Sequence, residues 1–117
     1  MRRAVLVGAE ADASIWEGAD LEAADFSHAR LAKANFIAAN VKGADFYMAD
    51  MREARLADAD CEAARFVRTN LFRSTFEGAT LVRADCRGSN FYETEFFNAN
   101  ITGAAFESSN LKGTKLA

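Results

Sequence analysis

Few side chains in this 117-residue chain could perform catalysis. His28 is the only histidine, and Ser27 lies directly beside it. Adjacent residues on one strand do not make the nucleophile and base pair that hydrolytic enzymes use. The many carboxylates fall at outward or turn sites, which indicates neither a raised pKa nor a matched acid and base. The sequence therefore predicts a protein that is not an enzyme.

Metal and cofactor chemistry is no better supported. The chain has two cysteines, Cys61 and Cys86, and no cluster of histidine and cysteine with the spacing of metal ligands. Its seven glycines are dispersed, so no glycine-rich loop is predicted to cradle a phosphate. We expect no metal and no cofactor.

Composition limits the partners. Half of the residues are hydrophobic and 26% are charged, a balance that argues against disorder. The net charge is −3, and basic residues alternate with acidic ones, so we expect no direct binding of nucleic acid. No apolar run is long enough to cross a membrane. Glu10 and Asp12 interrupt the only stretch that resembles a signal peptide, so we expect a cytoplasmic protein.

An apolar residue occurs at every fifth position from residue 21 to residue 116, and Ala, Ser or Thr lies two places before each. A five-residue step would scatter these side chains around a helix, because it advances an α-helix by about 500°. In a straight strand the same step would alternate them between faces. The pattern instead predicts a chain that turns a corner every five residues and forms stacked coils joined by a parallel ladder. The apolar positions are Leu21, Phe26, Leu31, Phe36, Val41, Phe46, Met51, Leu56, Cys61, Phe66, Leu71, Phe76, Leu81, Cys86, Phe91, Phe96, Ile101, Phe106, Leu111 and Leu116.

Units such as Ala-Asp-Leu-Glu-Ala (19–23) and Ala-Asn-Phe-Ile-Ala (34–38) resemble the A(D/N)LXX signature of the pentapeptide-repeat family. The resemblance implies an all-β fold, a right-handed quadrilateral parallel β-helix with four units in each coil. Residues 19–117 would then form five coils, about 24 Å tall at the usual strand spacing. Residues 1–18 keep the phase with degraded chemistry and are predicted to form an N-terminal cap or incomplete coil, with Trp16 lying over the first complete coil.

This arrangement makes predictions about the core and the turns. Cys61 and Cys86 should be small core hydrophobes with free thiols, although a disulfide between them is the alternative. The polar residue that precedes each large one should bond nearby backbone at the turn. The absence of proline fits a backbone whose N–H groups join ladders or close turns.

Several large apolar residues are predicted to point outward and to form interaction surfaces. Phe72 and Tyr92 are twenty residues apart and should stack on neighbouring coils, and Phe97 lies around the next corner. The alternative is that Phe72 and Tyr92 only stabilise the ladder as a cross-strand pair. A second group on another side consists of Tyr47, Met48 and Val67.

The repeat is still in phase at Leu116, one residue before the end of the sequence. An open last coil would expose Leu111 and Leu116 to an end-to-end contact. We expect that end to be covered by a second copy, with a symmetric dimer as the default, or to have been continuous with something else.

Three functions remain open. The residues favour a structural or protein-interaction module that presents rigid faces to a protein partner of unknown identity or to itself. The family resemblance implies a second function, since some members mimic duplex DNA and bind DNA gyrase. This chain is short and only mildly acidic, and basic residues occur on all its sides. The third function is that of a module in a secretion or effector system.

Overall fold

The computed structural model describes residues 2–116, and Met1 and Ala117 lie outside the described residues. The described chain is a right-handed, four-sided parallel β-helix, which confirms the predicted fold class. Within residues 2–116 there is no helix, and the β-structure consists of single-residue bridges, from Val5↔Asp25 to Asn90↔Asn110. Each bridge joins residues twenty positions apart, so one coil is twenty residues long.

The bridges define four sides of the helix. We name them A to D in the order in which the chain reaches them from residue 20 onward. Each side carries one bridge per coil, and the corner turns lie between the sides. Side A has bridges at residues 20, 40, 60, 80 and 100; side B at 5, 25, 45, 65, 85 and 105; side C at 10, 30, 50, 70, 90 and 110; and side D at 15, 35, 55, 75 and 95.

Backbone hydrogen bonds use four of the five N–H groups in a repeat unit. The Leu21 N–H donates to the Asn40 carbonyl at 2.7 Å, and the Asp25 N–H donates to the Ala4 carbonyl at 2.8 Å. Around the corner, the Ala23 N–H donates to the next coil and the Ala24 N–H closes the turn onto the Leu21 carbonyl at 3.0 Å. The remaining N–H belongs to the residue that follows the large one, and it needs another acceptor.

The polar residue at the bridge position supplies that acceptor, as predicted from the sequence. An oxygen of Asp25 accepts the N–H of Ser27 at 2.9 Å, and Asn35 accepts the N–H of Ile37 at the same distance. Glu95 accepts the N–H of Phe97 at 2.8 Å in the same way. The preference for Asp and Asn at this position therefore follows from the one backbone donor that the ladder leaves unpaired.

A left-handed residue closes every corner. In each unit the second residue after the large one has φ between +52° and +81°, which is the φ pattern of a type II turn. All seven glycines occupy this position, and sixteen other residues adopt the same φ. The glycines that appear dispersed in the sequence thus share a single phase of the repeat, although they form no loop.

The large residues fill the interior in four columns. Their side chains are fully buried from Leu21 to Phe91, while Phe96 is 9% exposed. Phe46 lies between Phe26 and Phe66 in a parallel stack, with ring centroids 5.2 and 5.0 Å apart. Stacked, interlocking side chains leave few voids in so narrow a core.

Both thiols are buried and free, which confirms the prediction made for Cys61 and Cys86. Burial raises the pKa of the Cys61 thiol and raises that of Cys86 to about 12. Both sulfurs are therefore protonated near neutral pH and act as small hydrophobes.

Residues 2–20 form a coil that is paired with the next one through the bridges Val5↔Asp25, Glu10↔Arg30 and Ile15↔Asn35. Trp16 lies over the following coil, with its ring stacked on Phe36 and edge-on to Phe26. The molecule measures 34 × 21 × 20 Å. The first coil adds one layer to the stack formed by the later coils.

Hydroxyl groups replace alanine at some inward positions of the C-terminal half. Thr69 and Ser89 are buried, and each hydroxyl donates to the carbonyl of a large residue one coil earlier, Phe46 or Phe66. The Thr69 N–H donates to the Ser89 hydroxyl at 2.9 Å instead of closing its own turn. These polar groups are tolerated inside the core because every one is hydrogen-bonded.

The position of Phe66 in the central stack predicts a large loss of stability on truncation. Phe66→Ala should lower the free energy of unfolding by about 3–5 kcal/mol, because it removes buried contacts and leaves a cavity. Phe97→Ala, at a side chain that is 53% exposed, is the matched control and should change stability by less than about 0.5 kcal/mol. Urea unfolding followed by circular dichroism measures both, and equal midpoints for Phe66→Ala and the wild type would contradict the inward placement.

Bridge-position carboxylates predict a loss of stability in acid. Hydrogen bonds from the Ser27 hydroxyl to Asp25, from Arg52 to Asp50 and from Arg87 to Asp85 lower the pKa of each acceptor. A lowered native pKa stabilises the fold above the unfolded value, about 3.9, and this contribution is lost as the pH falls through the native value.

The urea midpoint should therefore be flat between pH 7 and pH 5 and should fall below about pH 4. A variant with Asn at positions 25, 50 and 85 keeps a turn acceptor but cannot titrate there, so its midpoint should fall less steeply with acid. A wild-type midpoint that rises on acidification would refute this assignment.

Candidate protein-interaction surface

Phe72 and Tyr92 lie on neighbouring coils of side C and stack as predicted. Their rings are parallel, with centroids 5.6 Å apart, and both residues are partly buried. The Arg73 guanidinium lies over the Phe72 ring at 5.3 Å and pairs with Glu93 at 2.7 Å. This pair supports the ladder as a cross-strand contact, and it shows its ring edges more than its faces to the outside.

Phe97 is separate from this pair because it lies on side D. Its side chain is 53% exposed, and among residues 2–116 its ring makes no aromatic contact with Tyr92. Glu95 holds its backbone N–H, which fixes the corner from which the ring projects. The structure thus divides the three aromatic residues between two sides of the helix.

The second predicted group lies on side B. Met48 is 48% exposed, and its N–H donates to the carbonyl of Val67 on the next coil at 3.0 Å. Tyr47 is covered by the Arg65 guanidinium, 4.7 Å from the ring centroid, and by an edge-on contact with His28. A shallow groove of about 460 Å³ runs beside this group, lined by Tyr47, Val67, Arg68, Arg87, Gly88, Glu107 and Ser108.

A smaller groove brings Phe97 together with Leu116, two residues that the sequence assigns to different surfaces. Leu111 and Leu116 are partly buried, but only Leu116 lines this groove. Its volume is about 350 Å³, and Glu95, Phe96, Phe97, Asn98, Lys115 and Leu116 form its walls. Phe97 therefore projects beside a recess with an apolar floor.

Three exposed apolar residues of the first coil were missed by the sequence reasoning. Val5, Val7 and Ile15 are 77%, 51% and 78% exposed. Val5 and Ile15 occupy bridge positions, where most later units have a polar side chain. The branched apolar residues at these bridge positions were the sequence signal that could have predicted an exposed apolar surface on the first coil.

Ion pairs neutralise three sides of the helix but not the fourth. Lys42 pairs with Asp60 on side A at 3.5 Å, and similar pairs cross sides B and C. Exposed pairs of this kind add little stability, but they remove local charge. Within the described range, no ion pair lies on side D, which carries Glu17, Asp58, Glu77, Glu95, Arg55 and Lys115.

On side D, the Asp58 carboxylate lies in the space that a β-carbon at Gly78 would occupy. A β-carbon at position 78 would collide with an oxygen of Asp58, and the φ of +69° already favours glycine. The Asp58 N–H donates to the Glu77 carbonyl at 2.8 Å, so these two acids lie on neighbouring coils of side D.

The described part of the chain holds no group of three or more His, Cys, Asp or Glu residues arranged to bind a metal ion. Nor do residues 2–116 include a helix with the length and hydrophobicity needed to cross a membrane.

Comparisons with known proteins agree with the geometry. A family model of pentapeptide repeats matches residues 17–52, 34–71, 49–85 and 69–113. A comparison with curated proteins finds no match.

Solved structures of the same architecture include HetL, a pentapeptide repeat protein involved in heterocyst differentiation regulation in the cyanobacterium Nostoc. HetL is 27% identical with a TM-score of 0.64, over 99% of this chain and 61% of its own. A pentapeptide repeat protein from the Arabidopsis thaliana thylakoid lumen is 32% identical with a TM-score of 0.66, over 85% of this chain and 66% of its own. The chain thus spans slightly less than two thirds of both proteins.

QnrB1, a plasmid-mediated fluoroquinolone resistance protein, is 20% identical over 97% of this chain and 72% of its own, with a TM-score of 0.54. At that identity the likeness concerns the fold alone.

Proposed function

The chain belongs to the pentapeptide-repeat family, and from that premise we propose that it is a non-enzymatic interaction module whose side D binds a protein partner. The observation that carries the proposal is the exposed Phe97 side chain beside its groove. Exposed aromatic residues next to a recess are typical anchors of protein interfaces.

The rigidity of the scaffold supports this proposal. Backbone bonds tie each coil to the next, and the bridge-position side chains hold most of the remaining turn donors. A surface that is fixed before binding loses little conformational entropy when a partner docks. Flat, preorganised sides suit recognition better than catalysis, which needs convergent groups in a pocket.

The aromatic residues of sides B and C fit a docking role less well. Tyr47 is already covered by Arg65, and the Phe72 and Tyr92 rings cover each other. Phe97 has no such cover among the described residues. A second copy of the chain that meets the groove at Phe97 and Leu116 is one form that the partner could take.

Affinity capture with two matched baits tests this function. Wild-type protein should retain a partner from the source cells that the Phe97→Asp variant does not retain, because the charge removes the anchor. Met48→Asp on side B is the control bait and should retain the same partner. Size-exclusion chromatography of both variants identifies the case in which the partner is another copy. Equal capture by wild type and Phe97→Asp, or no capture by either, would refute the proposal.

Gyrase binding by DNA mimicry remains the alternative that the family suggests. Mimicry of a duplex needs a continuous density of negative charge, whereas ion pairs with Arg or Lys interrupt sides A, B and C. We expect no inhibition of DNA gyrase supercoiling at micromolar protein, and no protection of the enzyme from a quinolone. Inhibition that rises with protein concentration would favour the alternative.

A further inference from the structure

We propose that side D recognises a peptide segment in which basic residues flank a large apolar side chain. This inference rests on the proposed function, because it assigns the chemistry of the partner at the same surface. It combines two features of side D, an exposed aromatic anchor and carboxylates that have no ion-pair partner within the described residues.

Phe97 and its groove provide the apolar half of the site. The ring is 53% exposed, and the recess beside it has a volume of about 350 Å³ with Phe96 and Leu116 in its walls. A single Leu or Phe side chain from a partner would cover the ring and the recess together. Burying apolar area of this kind is the main source of affinity at small interfaces.

The carboxylates form a short diagonal that leads to this anchor. Glu77 is directly above Phe97 in the stack, since the two positions are twenty residues apart and the Gly78 N–H donates to the Phe97 carbonyl at 2.9 Å. Glu95 lies two residues before Phe97, and Asp58 rests against Gly78. All three acids are exposed, and within residues 2–116 none is in an ion pair.

Charge complementarity therefore selects a basic partner. An acidic segment would be repelled by Asp58, Glu77 and Glu95, and a neutral one would gain nothing from them. Side D also carries two cations within the described residues: Lys115 on the groove wall and Arg55 in the same unit as Asp58. Acids outnumber cations on this side by four to two, so its net charge remains negative.

The larger groove on side B does not offer the same match. Its wall contains Arg68, Arg87 and Glu107, and Arg87 is already paired with Asp85 at 2.7 Å. The side B groove therefore has no excess of acid in its wall, whereas side D carries four acids against two cations, Arg55 and Lys115.

Three short peptides test the inference. They share a central Phe-Leu pair and differ in the flanking residues, which are all Lys in the first, all Gln in the second and all Glu in the third. Each is titrated to millimolar concentration into the isotopically labelled full chain, and amide shifts are followed by NMR. The Lys peptide should bind most tightly and the Glu peptide least, and the shifts should lie on side D around Phe97. Two exposed charge pairs should separate the Lys and Gln peptides by roughly three- to tenfold in dissociation constant.

Matched variants assign the contributions. Glu77→Gln combined with Glu95→Gln keeps both side-chain shapes and the turn acceptor, and it should abolish the difference between the Lys and Gln peptides. Phe97→Ala should weaken all three peptides. Glu93→Gln on side C removes one negative charge elsewhere and should change nothing.

Equal binding of the three peptides, or shifts on another side, would overturn the basic-partner inference while a Phe97-dependent partner in the capture experiment still supported the proposed function. Absence of shifts with every peptide would also overturn it. The proposed function itself fails only if the capture experiment yields no partner that depends on Phe97.

Discussion

The twenty-residue register of backbone hydrogen bonds is the constraint on which the rest of this structure depends. In most units four N–H groups are paired by the ladder and the turn, and the fifth donates to a side-chain oxygen. An unpaired buried donor is costly, so the residue at the bridge position is held to Asp, Asn or a similar acceptor in most units. The A(D/N)LXX pattern thus follows from the need to pair backbone N–H groups as well as from hydrophobic burial.

The same register separates stability from recognition. Inward positions are restricted to one large and one small residue per unit. The hydroxyls of Thr69 and Ser89 can be buried there because each donates a hydrogen bond to a backbone carbonyl, that of Phe46 or Phe66. Outward positions are free of that restriction. Charge and aromatic residues can therefore vary on the sides with little effect on the core, which is how side D can differ in electrostatic character from the other three.

The stacked coils could be predicted from the sequence because neither an α-helix nor a straight strand can bury a strict five-residue period. The four units per coil and the right-handed path were implied by the resemblance to the pentapeptide-repeat family. The buried thiols and the stacking of Phe72 on Tyr92 follow from counting by twenty. The candidate surface was less predictable. The meeting of Phe97 with Leu116 depends on how the chain closes its last corner, and the cover of Tyr47 by Arg65 depends on the direction of a long side chain. The period specifies neither of these.

The corner turns also determine how such a molecule can change in length. Every corner falls at the same phase, so removing one unit of five residues keeps all later large side chains pointing inward. The deletion would nevertheless carry every downstream outward residue back by a quarter turn, which would move Phe97 from side D to side C. Only steps of twenty residues preserve which residues share a side. Evolution of this chain by duplication or loss would thus redistribute its surfaces without rebuilding its interior.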